Sequence, residues 1–174
     1  MNPLLAASSM AETVILMPGE WCVLQGAGAI ETLLGSCVAL TIWDPVTATG
    51  ACCHFVLPGT GASTGPEAVD TNVGKYGQRV IPAMWRALRT RAIAPSRCVH
   101  KLFGGGRMFT AELGDIGGNN IACAREMLRR AGIGLNAESV GDDGHRKIRF
   151  EVDTGLVVVQ FSPLSGGFSK ESKS

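Results

Sequence analysis

Two side chains are placed for chemistry. Cys37 directly follows Gly35-Ser36 and directly precedes an apolar run from Val38 to Trp43; His54 lies inside a second apolar run, Ala51-Cys52-Cys53-His54-Phe55-Val56-Leu57-Pro58. Both runs read as strands, so the cysteine sits at the mouth of a strand, where its sulfur can be reached. The turn-rich Asp44-Pro45-Val46-Thr47-Ala48-Thr49-Gly50 between them predicts antiparallel neighbours, with Cys37 beside His54. An imidazole beside a thiol holds a thiolate at neutral pH and later hands a proton to a leaving group, which is nucleophilic catalysis. The tetrahedral oxyanion of such a reaction needs donors, and the backbone N–H groups of Gly35, Ser36 and Cys37 are the nearest. A third group must orient the ring or assist the oxyanion: Thr32, Ser36 and the carboxylate of Glu31 are the candidates. Without the histidine, a cysteine in this position is ordinarily a small buried hydrophobe.

A rival arrangement uses Cys52-x-His54 and Cys98-x-His100, each placing a thiol and an imidazole on one face of a strand. On adjacent strands these would offer a Cys₂His₂ set. Zinc knuckles draw such pairs from turns with two to four intervening residues, so the spacing argues against a metal. Cys53 and Cys123 read as core. His145 reads as a surface residue preceding a strand.

The elements that must position these groups follow from periodicity and turn residues. Strands are predicted at Glu12–Met17 and Trp21–Gln25, at Cys98–Phe103 before Gly104-Gly105-Gly106, and at Leu135–Val140, Lys147–Val152 and Leu156–Phe161. Asp153-Thr154-Gly155 makes a hairpin of the last two. The glycine triplet lacks the sequel of a phosphate loop and reads as a tight turn beside the active site. Val69, Val73, Tyr76, Val80, Met84 and Leu88 predict a helix from about Glu67 to Arg91, kinked or broken near Pro82. Lys75, Arg79, Arg86 and Arg89 lie on its other face, either as a solvated surface or as a basic face toward an acidic partner helix. Asn119 and Asn120 read as caps of a second helix that ends at Gly132. The resulting expectation is a single α+β domain over residues 12–161, a layered α/β protein of mainly antiparallel sheet packed against helices. Residues 1–11 and 162–174 are expected to be disordered, and a Gly/Ser/Thr/Pro-rich loop from Thr60 to about Pro66 follows the His54 strand.

Composition narrows the function. The chain has 174 residues, long enough to bury a core without staples. With 16 basic and 15 acidic residues it has no excess charge for a polyanion, and only 6% aromatic residues to stack on bases, so nucleic acid is excluded as a partner. The six cysteines are expected to be reduced thiols in the cytoplasm, because Met1–Met10 lacks the basic start and apolar stretch of a secretory signal. No apolar run is long enough to be embedded in a membrane.

Thr32-Leu33-Leu34-Gly35-Ser36-Cys37-Val38-Ala39-Leu40, Asp44-Pro45, His54-Phe55-Val56-Leu57-Pro58, Phe103-Gly104-Gly105 and Gly144-His145-Arg146-Lys147 resemble, in order, the motifs of the CheD family, the chemoreceptor glutamine deamidases of chemotaxis. The resemblance runs from about Val14 to Gln160. It implies a layered α/β fold and hydrolysis of glutamine side-chain amides on methyl-accepting chemoreceptors, with no cofactor. It also implies a Cys-His pair, here Cys37 and His54, assisted by a threonine. In the family that threonine lies six residues before the cysteine, where this chain has Glu31; Thr32 lies five before it. The family also associates with the CheC phosphatase, so a non-catalytic adaptor that binds such a phosphatase or the receptors is the competing expectation.

Overall fold

The computed structural model describes residues 12–61, 72–108 and 114–164. The expected disordered N-terminus, residues 62–66 of the Gly/Ser/Thr/Pro-rich loop, the start of the helix predicted from Glu67 and residues 165–174 of the tail lie outside the described residues.

Nine strands and two helices are described: β1 (Glu12–Ile15), β2 (Trp21–Gln25), β3 (Gly28–Leu34), β4 (Val38–Asp44), β5 (Thr49–Phe55), α1 (Gly77–Arg89), β6 (Val99–Gly104), α2 (Ile116–Arg130), β7 (Ala137–Val140), β8 (Gly144–Glu151) and β9 (Val157–Pro163). The strands form two sheets, one ordered β1-β3-β8-β9 and the other β2-β5-β4-β6-β7. Most pairings are antiparallel, but β1–β3 and β6–β7 are parallel. The fold is α+β and dominated by sheet. Helices cover only one face of the five-stranded sheet, because its other face is covered by the four-stranded one.

The alternation along β4 and β5 shows how the layers form. Val38, Leu40, Ile42, Ala51, Cys53 and Phe55 join Val80, Ile81, Met84, Leu88, Ala124 and Leu128 of the helices in one core. Ala39 and Cys52 turn the opposite way and join Ile30, Leu34, Ile148 and Phe150 in a second core between the sheets. Every residue of β5 is buried, because this strand is central to its sheet and covered on both faces. That explains why β4 and β5 read as near-continuous apolar runs rather than alternating ones.

Several expectations change at element ends. Helix α1 begins only at Gly77, after a short 3₁₀ turn at Val73–Lys75 and an extended Tyr76, and it runs through Pro82 instead of breaking there. Helix α2 begins four residues before Asn120, with Asp115 as its cap: the Asp115 carboxylate accepts from the Gly118 N–H at 2.8 Å. Asn119 and Asn120 are therefore inside the helix and cap nothing. His145 lies within β8, half-buried, and β9 continues to Pro163. The hairpin stands as expected, with the Gly155 N–H donating to the Glu151 carbonyl.

Candidate active site

The ladder between β4 and β5 sets Val38 opposite Phe55 and Ala39 opposite His54. Cys37, one residue before β4 and half-buried, shares the face of Ala39 toward the four-stranded sheet. His54, two residues on from Cys52, points to that same face. Cys37 and His54 are thus diagonal neighbours on one sheet face, close enough for side chains to meet. Among the described residues no hydrogen bond joins them directly.

The third group comes from the opposing sheet. Thr32 on β3 is buried, and its hydroxyl lies 2.7 Å from Nδ1 of His54 and 2.7 Å from the Leu16 carbonyl oxygen. A carbonyl can only accept, so the one hydroxyl proton goes to Leu16. The Thr32 oxygen must then accept from Nδ1–H of His54. This assigns the tautomer: Nδ1 carries the proton and Nε2 keeps the lone pair of a base. Glu31, the neighbouring candidate, points to the outer face, where its carboxylate meets Arg149 at 2.6 Å and Lys147 at 3.3 Å. Successive strand residues face opposite sides, so one of the two had to turn away.

Burial governs both titrating groups. It pushes the Cys37 thiol up, against the smaller opposing effect of its own backbone N–H, and it pushes the His54 imidazole down. Both directions favour neutral thiol and neutral imidazole. Both shifts run against the expectation that His54 holds Cys37 as a thiolate at rest, because burial costs each ion its solvation.

The Gly35-Ser36-Cys37 turn is held carbonyl by carbonyl. Gly35 accepts from the Gly106 N–H at 2.8 Å, Ser36 from the Asn120 side-chain amide at 3.0 Å and Cys37 from the Gly105 N–H at 2.8 Å. The glycine triplet does lie beside this turn. Gly104 has φ +99°, and a Cβ there would collide with the Cys37 carbonyl oxygen, so glycine is required. A cavity of about 260 Å³ opens next to Ser36, bordered by Gly106, Arg107, Met108, Asp115 and Gly117.

Sequence reasoning missed two supports. Asn120, fully buried, donates to both the Ser36 and Val56 carbonyls. It shares a helical face with Gly117, Ile121, Ala124 and Leu128, so the period would have exposed it once the helix was started at Asp115. Arg146, also buried, donates to the Ser139 hydroxyl and the Gly141 carbonyl and stacks on Phe161. It braces the loop whose Asp142 carbonyl accepts from the Arg107 N–H.

The rival metal arrangement is not assembled. Strand β4 separates β5 from β6, and His54 faces the second sheet while His100 faces α1, accepting from Trp85 Nε1 at 3.4 Å. Among the described residues no three His, Cys, Asp or Glu side chains cluster to hold a metal ion.

A thiol and an oriented imidazole on one sheet face, beneath a clamped Gly-Ser turn, define a candidate cysteine–histidine site in a sheet-dominated α+β protein. Comparison with known proteins identifies the family. The family model described as CheD chemotactic sensory transduction matches residues 56–161. A probable chemoreceptor glutamine deamidase CheD 2 of Albidiferax ferrireducens is 38% identical over 148 residues, covering 83% of this chain and 84% of the relative. A probable chemoreceptor glutamine deamidase CheD 3 of Dechloromonas aromatica is 36% identical over 90% of this chain and 91% of its own. The chemoreceptor glutamine deamidase CheD of Thermotoga maritima is 33% identical over 89% of this chain and 94% of its own. The chain belongs to the CheD family.

Proposed function

We propose that this protein is a chemoreceptor glutamine deamidase, converting glutamine side chains of chemoreceptor proteins to glutamate with Cys37 as nucleophile and His54 as general acid and base. The observation that carries this reading is the Thr32–His54 hydrogen bond, which leaves Nε2 as the free base on the face shared with Cys37. A buried imidazole alone would serve packing, as His100 does; the enzyme is preferred to the non-catalytic alternative because His54 shares its sheet face with a half-buried thiol.

The chemistry begins from the neutral pair. As Sγ attacks the carboxamide carbon, Nε2 takes the thiol proton, so charge separates only in the transition state. The carbonyl π electrons move to oxygen, and in this reading the N–H groups of the Gly35–Cys37 turn are the donors to that developing charge. Collapse of the intermediate breaks the C–N bond, and Nε2–H protonates the leaving nitrogen as ammonia. Water then adds to the thioester, giving its proton to Nε2. When the C–S bond breaks, that proton returns to sulfur and glutamate leaves.

The glutamine side chain enters, in this reading, by the cavity beside Ser36. The arginine side chains of α1 supply the docking charge: Arg79 and Arg86 border a groove with Trp21, Pro82 and Ala83, and α1 contains no acidic residue. That charge suits an acidic stretch of a receptor helix. Six free cysteines suit a reducing cytoplasm, and no helix among the described residues is long and apolar enough to cross a membrane. A CheC-type phosphatase is a second proposed partner, tested by co-purification.

Ammonia release from a receptor cytoplasmic fragment tests the proposal. Wild-type protein should release it, and Cys37→Ala and His54→Ala should each abolish release while leaving the fold intact by circular dichroism. Release retained by Cys37→Ala would overturn the mechanism.

A further inference from the structure

Asn120 is a buried polar side chain with no part in the chemistry just described. Its amide nitrogen donates to two main-chain carbonyls, Ser36 at 3.0 Å and Val56 at 2.8 Å, while its Oδ1 is buried and has no hydrogen-bond partner among the described residues. Val38 opposes Phe55, so Val56 lies opposite Cys37, just where the β4–β5 ladder ends. The amide therefore joins the chain immediately before the nucleophile to the chain two residues past the imidazole, where ladder hydrogen bonds no longer do so.

The bond to Ser36 has a second effect. A peptide unit is planar and trans, so its N–H points away from its C=O. Fixing the Ser36 carbonyl toward Asn120 fixes the N–H of Cys37 on the opposite side, away from α2. Hydrogen bonding at the carbonyl also polarises that N–H. The neighbouring carbonyls of Gly35 and Cys37 are held by Gly106 and Gly105, so Asn120 is the side chain that completes the turn's rigidity. We propose that Asn120 is a positioning residue that aims the Cys37 N–H at the oxyanion of the tetrahedral intermediate. This rests on the deamidase reading, since an adaptor forms no oxyanion.

The test separates oxyanion stabilisation from mere folding. Alkylation of Cys37 by iodoacetamide is a displacement at carbon that builds no oxyanion, whereas amide hydrolysis does. In Asn120→Ala, kcat for ammonia release from a receptor fragment should fall about 10²-fold, the scale of losing an aligned donor. KM should stay within about twofold, and the limiting alkylation rate of Cys37 at high pH, where the thiol is fully ionised whatever the N–H does to its pKa, within about threefold. If Asn120→Ala does not fold, Asn120→Leu, of similar size and without any hydrogen-bond donor, takes its place. Release within threefold of wild type would overturn the proposal. So would alkylation that falls in step with release, or failure of both variants to fold, since each marks a purely structural role. Absence of release from wild-type protein would instead sink the deamidase reading, and this inference with it.

Discussion

Thr32 carries one hydroxyl proton, and the direction in which it is given decides which nitrogen of His54 keeps its lone pair. Thr32→Val removes the oxygen that sits between the His54 Nδ1–H and the Leu16 carbonyl, and a buried donor or acceptor left without a partner costs about 1–3 kcal/mol. Its ammonia release should fall about 10²-fold, the lower end of what a positioned acid–base group contributes. Thr32→Ser, which keeps the hydroxyl, should recover most of that loss. Equal activity of the two variants, measured side by side, would remove Thr32 from the site. Cys37 makes a separate prediction. Because burial raises its pKa, the pH midpoint of its alkylation should lie above that of a free thiol, about 8.5. A midpoint well below that value would restore the preformed thiolate.

At the level of elements, the site depends on helix α2 seating against the glycine turn. Gly117, in the first turn of α2, lies so close to the Gly105 carbonyl that a Cβ would overlap it. In an exposed helix, replacing glycine by alanine stabilises by about 1 kcal/mol. Here the obstacle is backbone, which cannot swing aside as a side-chain tip would, and overpacking costs about 1–3 kcal/mol. The steric term should win: Gly117→Ala should lower stability in urea denaturation. It should also lower ammonia release, because α2 carries Asn120 and the turn carries the Cys37 contacts. A stabilised and fully active Gly117→Ala would show that the helix shifts freely against the turn.

Across the whole molecule, the same layering that positions the site makes it sensitive to acid. His54 lies between the two sheets and His100 between the sheet and α1, and burial lowers the pKa of both. In the unfolded chain each histidine titrates near its ordinary value, about 6.5. Below that pH the unfolded state binds more protons than the folded one, so stability present above about 6.5 is lost as pH falls through the depressed folded values. Urea midpoints should therefore drop from pH 7.5 to pH 5, with a shallower drop in His100→Gln. The activity profile should follow the same sign, its acid limb lying below 6.5 because in the proposed mechanism His54 acts as a neutral base. Urea midpoints unchanged over that range would show that these rings are not held neutral by the fold.

The sequence by itself determined the pair and its neighbourhood. Cys37 opens one apolar run and His54 lies inside the next, with a turn between them, and that local pattern is enough to make the runs antiparallel neighbours, because short connections leave few other pairings. The glycine triplet and the closing hairpin were legible for the same reason: their geometry is dictated within a few residues. The choice between Glu31 and Thr32 was not, since it depends on which face of β3 meets the other sheet, and alternation alone names two faces without saying which is covered. Nor was Asn120, whose role exists only because α2 crosses the ends of β4 and β5 far from it in sequence. Local rules fix which residues a strand or turn presents; only the stacking of two sheets and a helix fixes what those residues touch.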